Sequence, residues 1–143
     1  MRSLLLDKGL PQQVAESFQL LKIDAHAVGQ GEAPPDDSSD TFNCEWCAAR
    51  GAVLVTNDRG KGNREILTAL AETGVDALFV YDDLRAAPRH EFARALLCAE
   101  VAIDQIGAKK KPIRHRLSPS GRLKQKVNHK RPRGAGSGTM DDS

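Results

Sequence analysis

The feature that most constrains the fold is the unbroken apolar run Ala52–Val55, which leads directly into the polar residues Thr56-Asn57-Asp58. β-Branched residues dominate this stretch and glycines stand at both of its ends, a pattern typical of a short β-strand. Because no polar residues alternate with the apolar ones, both faces of the strand are expected to be covered. The run therefore predicts a parallel sheet with helices on both sides, which is an α/β fold.

The rest of the chain alternates between helix-like and strand-like segments. Apolar residues at helical spacing predict helices over residues 11–22, 40–50, 63–74 and about 88–107. Short apolar segments predict further strands at residues 2–7, 23–28 and 75–81. The order βαβαβαβα favours right-handed crossovers and a small, mainly parallel sheet of about four to five strands.

Charge divides the chain into two parts. Residues 1–108 carry 10 Lys and Arg against 17 Asp and Glu, whereas residues 109–143 carry 11 against 2. The second part is also poor in apolar residues and rich in Ser, Gly and Pro. We therefore predict a folded domain at 1–108 and a basic, disordered tail at 109–143. No packed structure is expected beyond about residue 112, apart from a short helix near 120–128 induced by a partner.

Several classes of protein are excluded by composition. No segment reaches the roughly 18 apolar residues of a membrane span, and residues 1–15 do not form a signal peptide. We therefore expect a cytoplasmic protein that does not engage a membrane. The three cysteines are an odd number, which argues against a disulfide framework.

Cys44 and Cys47 have the spacing of a redox or zinc site, but they lie in a predicted helix. That helix is amphipathic through Phe42, Trp46 and Ala49, without help from either thiol. A zinc site would also need a second pair of ligands. We therefore interpret both cysteines as packing residues.

Acidic residues follow the predicted strands. Asp7, Asp58 and either Asp82 or Asp83 come at strand ends, and Asp40 opens the helix that precedes the strand ending at Asp58. The carboxyl ends of parallel strands share one edge of a sheet, so these side chains are expected to converge there. Two carboxylates about 5 Å apart repel by roughly 3 kcal/mol at an effective dielectric near 20. The cluster therefore needs a compensating cation or partial protonation, and a divalent ion with oxygen ligands, Mg²⁺ or Mn²⁺, is the usual resolution.

Two segments together resemble short PIN-like domains. Leu4–Pro11 resembles the opening of that family, a strand followed by Asp-Glu-Asn-Leu-Pro. Ser39–Asp58 is similar to its block Ser-Asp … Ala … Gly-x-Val-Leu-Val-Thr-Asn-Asp. The similarity covers roughly residues 1–106 in order and spacing. It implies a PIN-like three-layer α/β/α sandwich and a ribonuclease activity, as in the VapC-like toxins of toxin–antitoxin pairs.

The resemblance also implies roles for the acids. Asp7, Asp40 and Asp58 match the metal-binding, catalytic acids of the family, and Asp82 and Asp83 are candidates for a fourth metal ligand. The implied reaction is metal-assisted hydrolysis of an RNA phosphodiester. In this reaction Asp7 and Asp58 bind Mg²⁺ or Mn²⁺, and Asp40 binds the ion or orients its water.

The sequence departs from the family beside these acids, and both departures introduce cations. Lys8-Gly9 replaces the usual Glu-Asn, and Arg59-Gly60 replaces the common Asp-Phe. Lys8 is a candidate phosphate contact, as are Lys61 and Arg64 at the start of the next predicted helix. The tail adds cations that we expect to bind nucleic acid through charge. They include Lys109, Lys110, Lys111, Arg114 and Arg116.

Three classes of function remain open. The first is a metal-dependent ribonuclease, the toxin of a toxin–antitoxin pair, acting on RNA, paired with an antitoxin protein and able to form a homodimer. The second is a PIN-like protein with weakened catalysis that binds nucleic acid through its basic tail. The third is a receiver-like phosphoacceptor domain, because aspartates at strand ends also describe that class. Lys8 occupies the position where such a domain would carry a paired acid.

Overall fold

The computed structural model of the chain describes residues 1–57, 64–106, 112 and 114–125. Asp58, Lys61, the side chain of Arg64 and Lys109–Lys111 lie outside the described residues. The helices and strands that it describes are β1 (Leu4–Leu6), α1 (Gln12–Leu20), β2 (Ala25–Ala27), α2 (Asp40–Arg50), β3 (Val53–Thr56), α3 (Arg64–Thr73), β4 (Ala77–Val80), α4 (Asp82–Arg85), α5 (Arg89–Cys98), α6 (Glu100–Ile106), β5 (Arg114–Leu117) and β6 (Leu123–Gln125).

The strands form one sheet in the order β2-β1-β3-β4-β5-β6. Every pair of neighbours from β2 to β5 is parallel, and only β6 runs antiparallel to its neighbour. The predicted α/β fold with a mainly parallel sheet is therefore confirmed. The sheet has 6 strands in the described part of the chain, more than the four to five expected.

Helices cover both faces of the sheet and bury two apolar cores. On one face Leu6 packs with Phe18 of α1 and Phe92 of α5. On the other face Leu5 and Phe79 pack with α2 and α3. Successive residues of a strand point to opposite faces, so an apolar run with no alternation is what two covered faces require. The central strands consequently carry their side chains into both cores.

The prediction of a tail without packed structure is wrong for residues 114–125. β5 pairs with β4 from Arg114↔Ala77 to Leu117↔Val80, and β6 returns beside it. Leu123–Gln125 is a strand, so the helix expected near 120–128 is not found there. β5 reads Arg-His-Arg-Leu and buries a single apolar residue, which gives no hydrophobic period to detect. The fold therefore continues past the predicted boundary at residue 108.

Arg114, predicted to bind nucleic acid, instead fastens β5 to the domain. Its guanidinium donates to the carbonyl oxygens of Val75 at 2.7 Å and Leu70 at 3.0 Å. Burial lowers the pKa of this guanidinium, and the nearby charge of Asp76 partly opposes that shift. Because Arg114 pairs with the first residue of β4, it lies at the amino edge of the sheet. These contacts are those of a structural residue.

The last predicted helix is divided in two at Ala99, giving α5 and α6. The residues expected to be buried along it, Phe92, Leu96, Ala99 and Ile103, are all buried. The division therefore leaves the predicted buried side intact. Within the described residues, no helix has the length and apolar character that crossing a membrane requires.

Candidate functional site

The strand order places a topological switch point between β1 and β3, the position at which open α/β sheets form a crevice at the carboxyl edge. The chain leaves β1 to form β2 on one side of it and later returns to form β3 on the other. Connections therefore diverge at this point, and open α/β sheets bind ligands where they do. Asp7 comes directly after β1, and Asn57 directly after β3. Asp58 is the next residue in sequence and lies outside the described part.

Asp7 is a buried acid at this crevice, with 9% of its surface exposed. Its backbone N–H donates to the Val55 oxygen at 2.8 Å and so extends the pairing of β1 with β3. Its Oδ2 accepts from the Thr56 hydroxyl at 2.7 Å, and its Oδ1 accepts from the Lys8 N–H at 2.7 Å. Each carboxylate oxygen therefore has a hydrogen-bond donor of its own, and these two contacts fix the direction of the carboxylate.

Gly9 brings the turn after Asp7 against the end of β3. Its φ is +93°, and a Cβ at this position would lie 2.8 Å from Nδ2 of Asn57. The positive φ favours glycine, and any larger residue would also displace the side-chain amide of Asn57. The Leu10 N–H closes the turn on the Asp7 carbonyl oxygen at 3.1 Å. Two segments about fifty residues apart in sequence therefore meet at the crevice.

Helix α2 covers the face of the sheet that carries Leu5, and the side of the helix that is buried differs from the predicted one. The buried side consists of Asn43, Cys44 and Cys47. The stripe predicted to be buried is wrong, because Phe42 is 46% exposed and Ala49 is exposed. Both cysteines are packed in the core, as we expected. Ser39 caps the helix by accepting from the Phe42 N–H at 3.0 Å, as the sequence indicated.

Asp7 and Asp40 act on the same buried thiol. Burial, assisted by the negative charges of Asp40 and Asp7, raises the pKa of Cys44 to about 11. Burial also raises the pKa of Cys47, and the charge of Asp7 contributes there too. Asp40 opens α2 one turn before Cys44, on the same side of the helix. Asp40 therefore lies at the start of the helix that covers the face of the sheet on which Cys44 is buried.

These pKa shifts predict that only one thiol is reactive in the folded protein. At pH 8 a thiol of pKa about 11 is ionised in roughly one molecule in a thousand, and the thiolate is the nucleophile. Titration with Ellman's reagent should detect the exposed Cys98 alone in the native state and all 3 cysteines after unfolding. A Cys98→Ser variant should then show no rapid reaction. Fast modification of a second thiol in native protein would contradict the packing described.

Asp82 and Asp83, the candidates for a fourth metal ligand, make local contacts. The side chain of Asp82 is 61% exposed and pairs with Arg85 at 2.7 Å. Asp83 accepts from the Leu84 N–H through Oδ1 and pairs with Arg116 through Oδ2. These contacts tie the two acids to α4 and β5 rather than to Asp7.

The cations predicted to bind RNA lie in different parts of the structure. Lys8 is exposed beside Asp7. Arg116 belongs to β5, with its guanidinium 4.5 Å from the centre of the Tyr81 ring. Arg114 lies at the opposite edge. Sequence reasoning missed Thr56 as the partner of Asp7, although it stands next to Asn57-Asp58, and it had no signal for Tyr81.

The described acids do not complete a metal site by themselves. Among residues whose positions are described, no three His, Cys, Asp or Glu side chains are grouped closely enough to hold an ion. The chemistry of Asp7 nevertheless fits Mg²⁺ or Mn²⁺, because these ions select carboxylate oxygens in a fixed orientation. A complete site would need Asp58, which follows the strand beside Asp7.

The chain was compared with protein-family models, with curated proteins and with solved structures, and nothing matched in any of the three.

Proposed function

We propose that this protein is a metal-dependent ribonuclease whose site lies between the carboxyl ends of β1 and β3. The observation that carries the proposal is the buried carboxylate of Asp7 at the point where the strand order reverses. Asp7, Asp40 and Asp58 would bind a divalent cation there through carboxylate oxygens, the ligands that Mg²⁺ and Mn²⁺ prefer.

In this proposal the residues of the chain divide the work. A bound Mg²⁺ or Mn²⁺ would activate water and offset charge on the scissile phosphate. Asp7, which follows β1, and Asp58, which comes after β3 in the sequence, would hold the ion, and Asp40 would bind it or orient its water. The Thr56 hydroxyl fixes the Asp7 carboxylate at 2.7 Å, the kind of support that tunes a metal ligand. Lys8, exposed beside Asp7, would contact the phosphate.

The proposal extends to the biological role. The resemblance of residues 1–106 to PIN-like domains supports a PIN-like fold and the toxin component of a toxin–antitoxin pair. Its partners would be RNA and a cognate antitoxin, its assembly a homodimer, and its location the cytoplasm. The layered arrangement of helices on both faces of the sheet agrees with this family.

Calorimetric titration with Mn²⁺ tests the metal site directly. We expect wild type to bind Mn²⁺ and the Asp58→Asn variant to bind at least about tenfold more weakly, because a charged oxygen ligand is lost. Asp37→Asn, which removes one exposed acid from a loop, should bind like wild type. Equal affinities of wild type and Asp58→Asn for Mn²⁺ would refute the proposed metal site, and with it the proposed nuclease activity.

The second candidate function is nucleic-acid binding without cleavage, which the cations of residues 109–133 favour. It predicts that RNA is bound but stays intact when Mn²⁺ is present. Deleting the segment would not test this idea, since β5 lies inside it. Replacing Lys109, Lys110 and Lys111 by glutamine keeps that strand, and in this case RNA affinity should fall while the fold remains.

A further inference from the structure

A cation and an aromatic ring lie on the same face of the sheet as Asp7. Arg116 pairs across the sheet with Phe79, whose side chain belongs to the core that also contains Leu5. Asp7 follows Leu5 by two positions, so alternation directs it to this same face. Tyr81 packs against the same core beyond the end of β4. The carboxyl edge thus carries an acid at β1 and a cation at β5.

Arg116 is held in a fixed orientation. Its guanidinium stacks on the Tyr81 ring at 4.5 Å, and its Nη2 pairs with Asp83. The side chain is 32% exposed, although its Nε is buried. A planar guanidinium that is already oriented is suited to binding a phosphate through two hydrogen bonds.

The spacing of the strands determines which phosphate Arg116 can reach. Neighbouring strands lie about 4.8 Å apart, so β5 is roughly 14 Å from β1 across β3 and β4. That distance is too long for Asp7 and Arg116 to contact one phosphodiester. A substrate that touches both must run along the carboxyl edge for several nucleotides. An extended single strand has the reach and flexibility to do so.

We infer that Arg116, supported by Tyr81, is a positioning residue that binds a phosphate flanking the scissile one in single-stranded RNA. This inference rests on the proposed ribonuclease function for the identity of the scissile phosphate. Asp83 is then a counter-ion that holds the guanidinium in the absence of RNA and competes with phosphate for it. The role previously considered for Asp83, as a fourth metal ligand, predicts a different outcome for the same substitution.

Binding is measured first, without metal, by fluorescence anisotropy of a labelled twelve-nucleotide single strand in EDTA. Arg116→Ala should raise the Kd about tenfold and reduce the slope of log K against log salt by about 0.7, the loss of one phosphate contact. Arg116→Lys should recover part of the affinity. The matched control is Arg94→Ala, an exposed cation on α5 at the opposite face, which should bind like wild type.

The Asp83→Asn variant separates phosphate binding from a structural ion pair. A structural pair predicts that Asp83→Asn and Arg116→Ala weaken binding alike, whereas competition predicts tighter binding for Asp83→Asn than for wild type. Unchanged affinity in Arg116→Ala, or no binding of RNA by wild type, overturns the inference. Melting curves of each variant exclude unfolding as the cause.

Cleavage kinetics distinguish failure of this inference from failure of the proposed function. With Mn²⁺, Arg116→Ala should raise the KM for the twelve-nucleotide substrate about tenfold and leave kcat nearly unchanged. On a dinucleotide, which cannot span the edge, the variant and wild type should be equal. Binding that depends on Arg116 in a protein that cleaves nothing would refute the ribonuclease and keep the phosphate contact. If the Arg116→Ala variant cleaved both substrates like wild type, that result would refute the phosphate contact and keep the ribonuclease.

Discussion

Asp7→Asn is expected to abolish RNA cleavage and to leave the protein folded. Asparagine keeps the shape of the side chain, with an oxygen that accepts from the Lys8 N–H and an NH2 group that donates to the Thr56 hydroxyl oxygen, but it removes the negative charge that would bind the metal. Metal binding supplies several kcal/mol of transition-state stabilisation, so the single-turnover rate with Mn²⁺ should fall by about 10³-fold. The free energy of unfolding should stay within about 1 kcal/mol of wild type, because burying a neutral amide costs less than burying a carboxylate.

The combination of the two measurements is what identifies a functional acid. Substitution of a structural aspartate would lower the stability of the protein, whereas substitution of an acid that is retained for a ligand would lower its activity alone. Asp37→Asn provides the matched control, since it makes the same chemical change at an exposed loop position. Cleavage at the wild-type rate by Asp7→Asn would refute the proposed site, whatever the result for the metal titration.

The central strands could be predicted because burial on both faces leaves a signature in sequence. β1, β3 and β4 lie within the predicted segments, and all their residues are buried. β5 and β6 leave no such signature. At β5 the polar residues themselves make the packing, as Arg114 donates to two carbonyl oxygens and Arg116 lies on an aromatic ring. Long cationic side chains can cover apolar surface with their stems, which a count of charges does not reveal.

The helix phase of α2 was mispredicted for a related reason. Trp46 is the largest apolar residue of that helix, and it is only half-buried against the core, with further partners at the surface. Arg50 stacks on its ring at 4.3 Å, His26 meets it edge-on at 5.2 Å, and its Nε1 donates to the Glu32 oxygen at 3.2 Å. The two small thiols are the fully buried apolar residues of the helix. Which side of a helix is buried thus depended on partners that lie elsewhere in the sequence.

The candidate site could be located from sequence only at its acids. Asp7 and Asp40 were predicted because strand ends and helix starts share an edge in parallel sheets. The hydrogen bond between Thr56 and Asp7 depends on the register of β1 against β3. The stack of Arg116 on Tyr81 depends on a strand that the sequence did not indicate. Residue types could be predicted at this edge, whereas their pairing across strands could not.

Leu117→Ala is expected to lower the free energy of unfolding by about 3 kcal/mol, as large-to-small substitutions in a packed core do. Leu117 is the buried residue of β5, is 0% exposed, and joins the core that contains Phe92 and Leu96. In a disordered tail the same change would have almost no effect. Denaturation in guanidinium chloride measures the difference, with the exposed Lys124→Ala as a control expected within about 0.5 kcal/mol of wild type.

If Leu117→Ala unfolded at the wild-type midpoint, β5 would lie outside the sheet. The proposed phosphate contact of Arg116 would then lose its structural basis as well. Arg116 precedes Leu117, and its position beside Tyr81 requires β5 to be paired with β4. Loss of stability in Leu117→Ala together with weaker RNA binding in Arg116→Ala would therefore assign two neighbouring residues to two different tasks. One side chain points into the core and anchors the strand, and the other lies on the opposite face, the face of the sheet that carries Asp7.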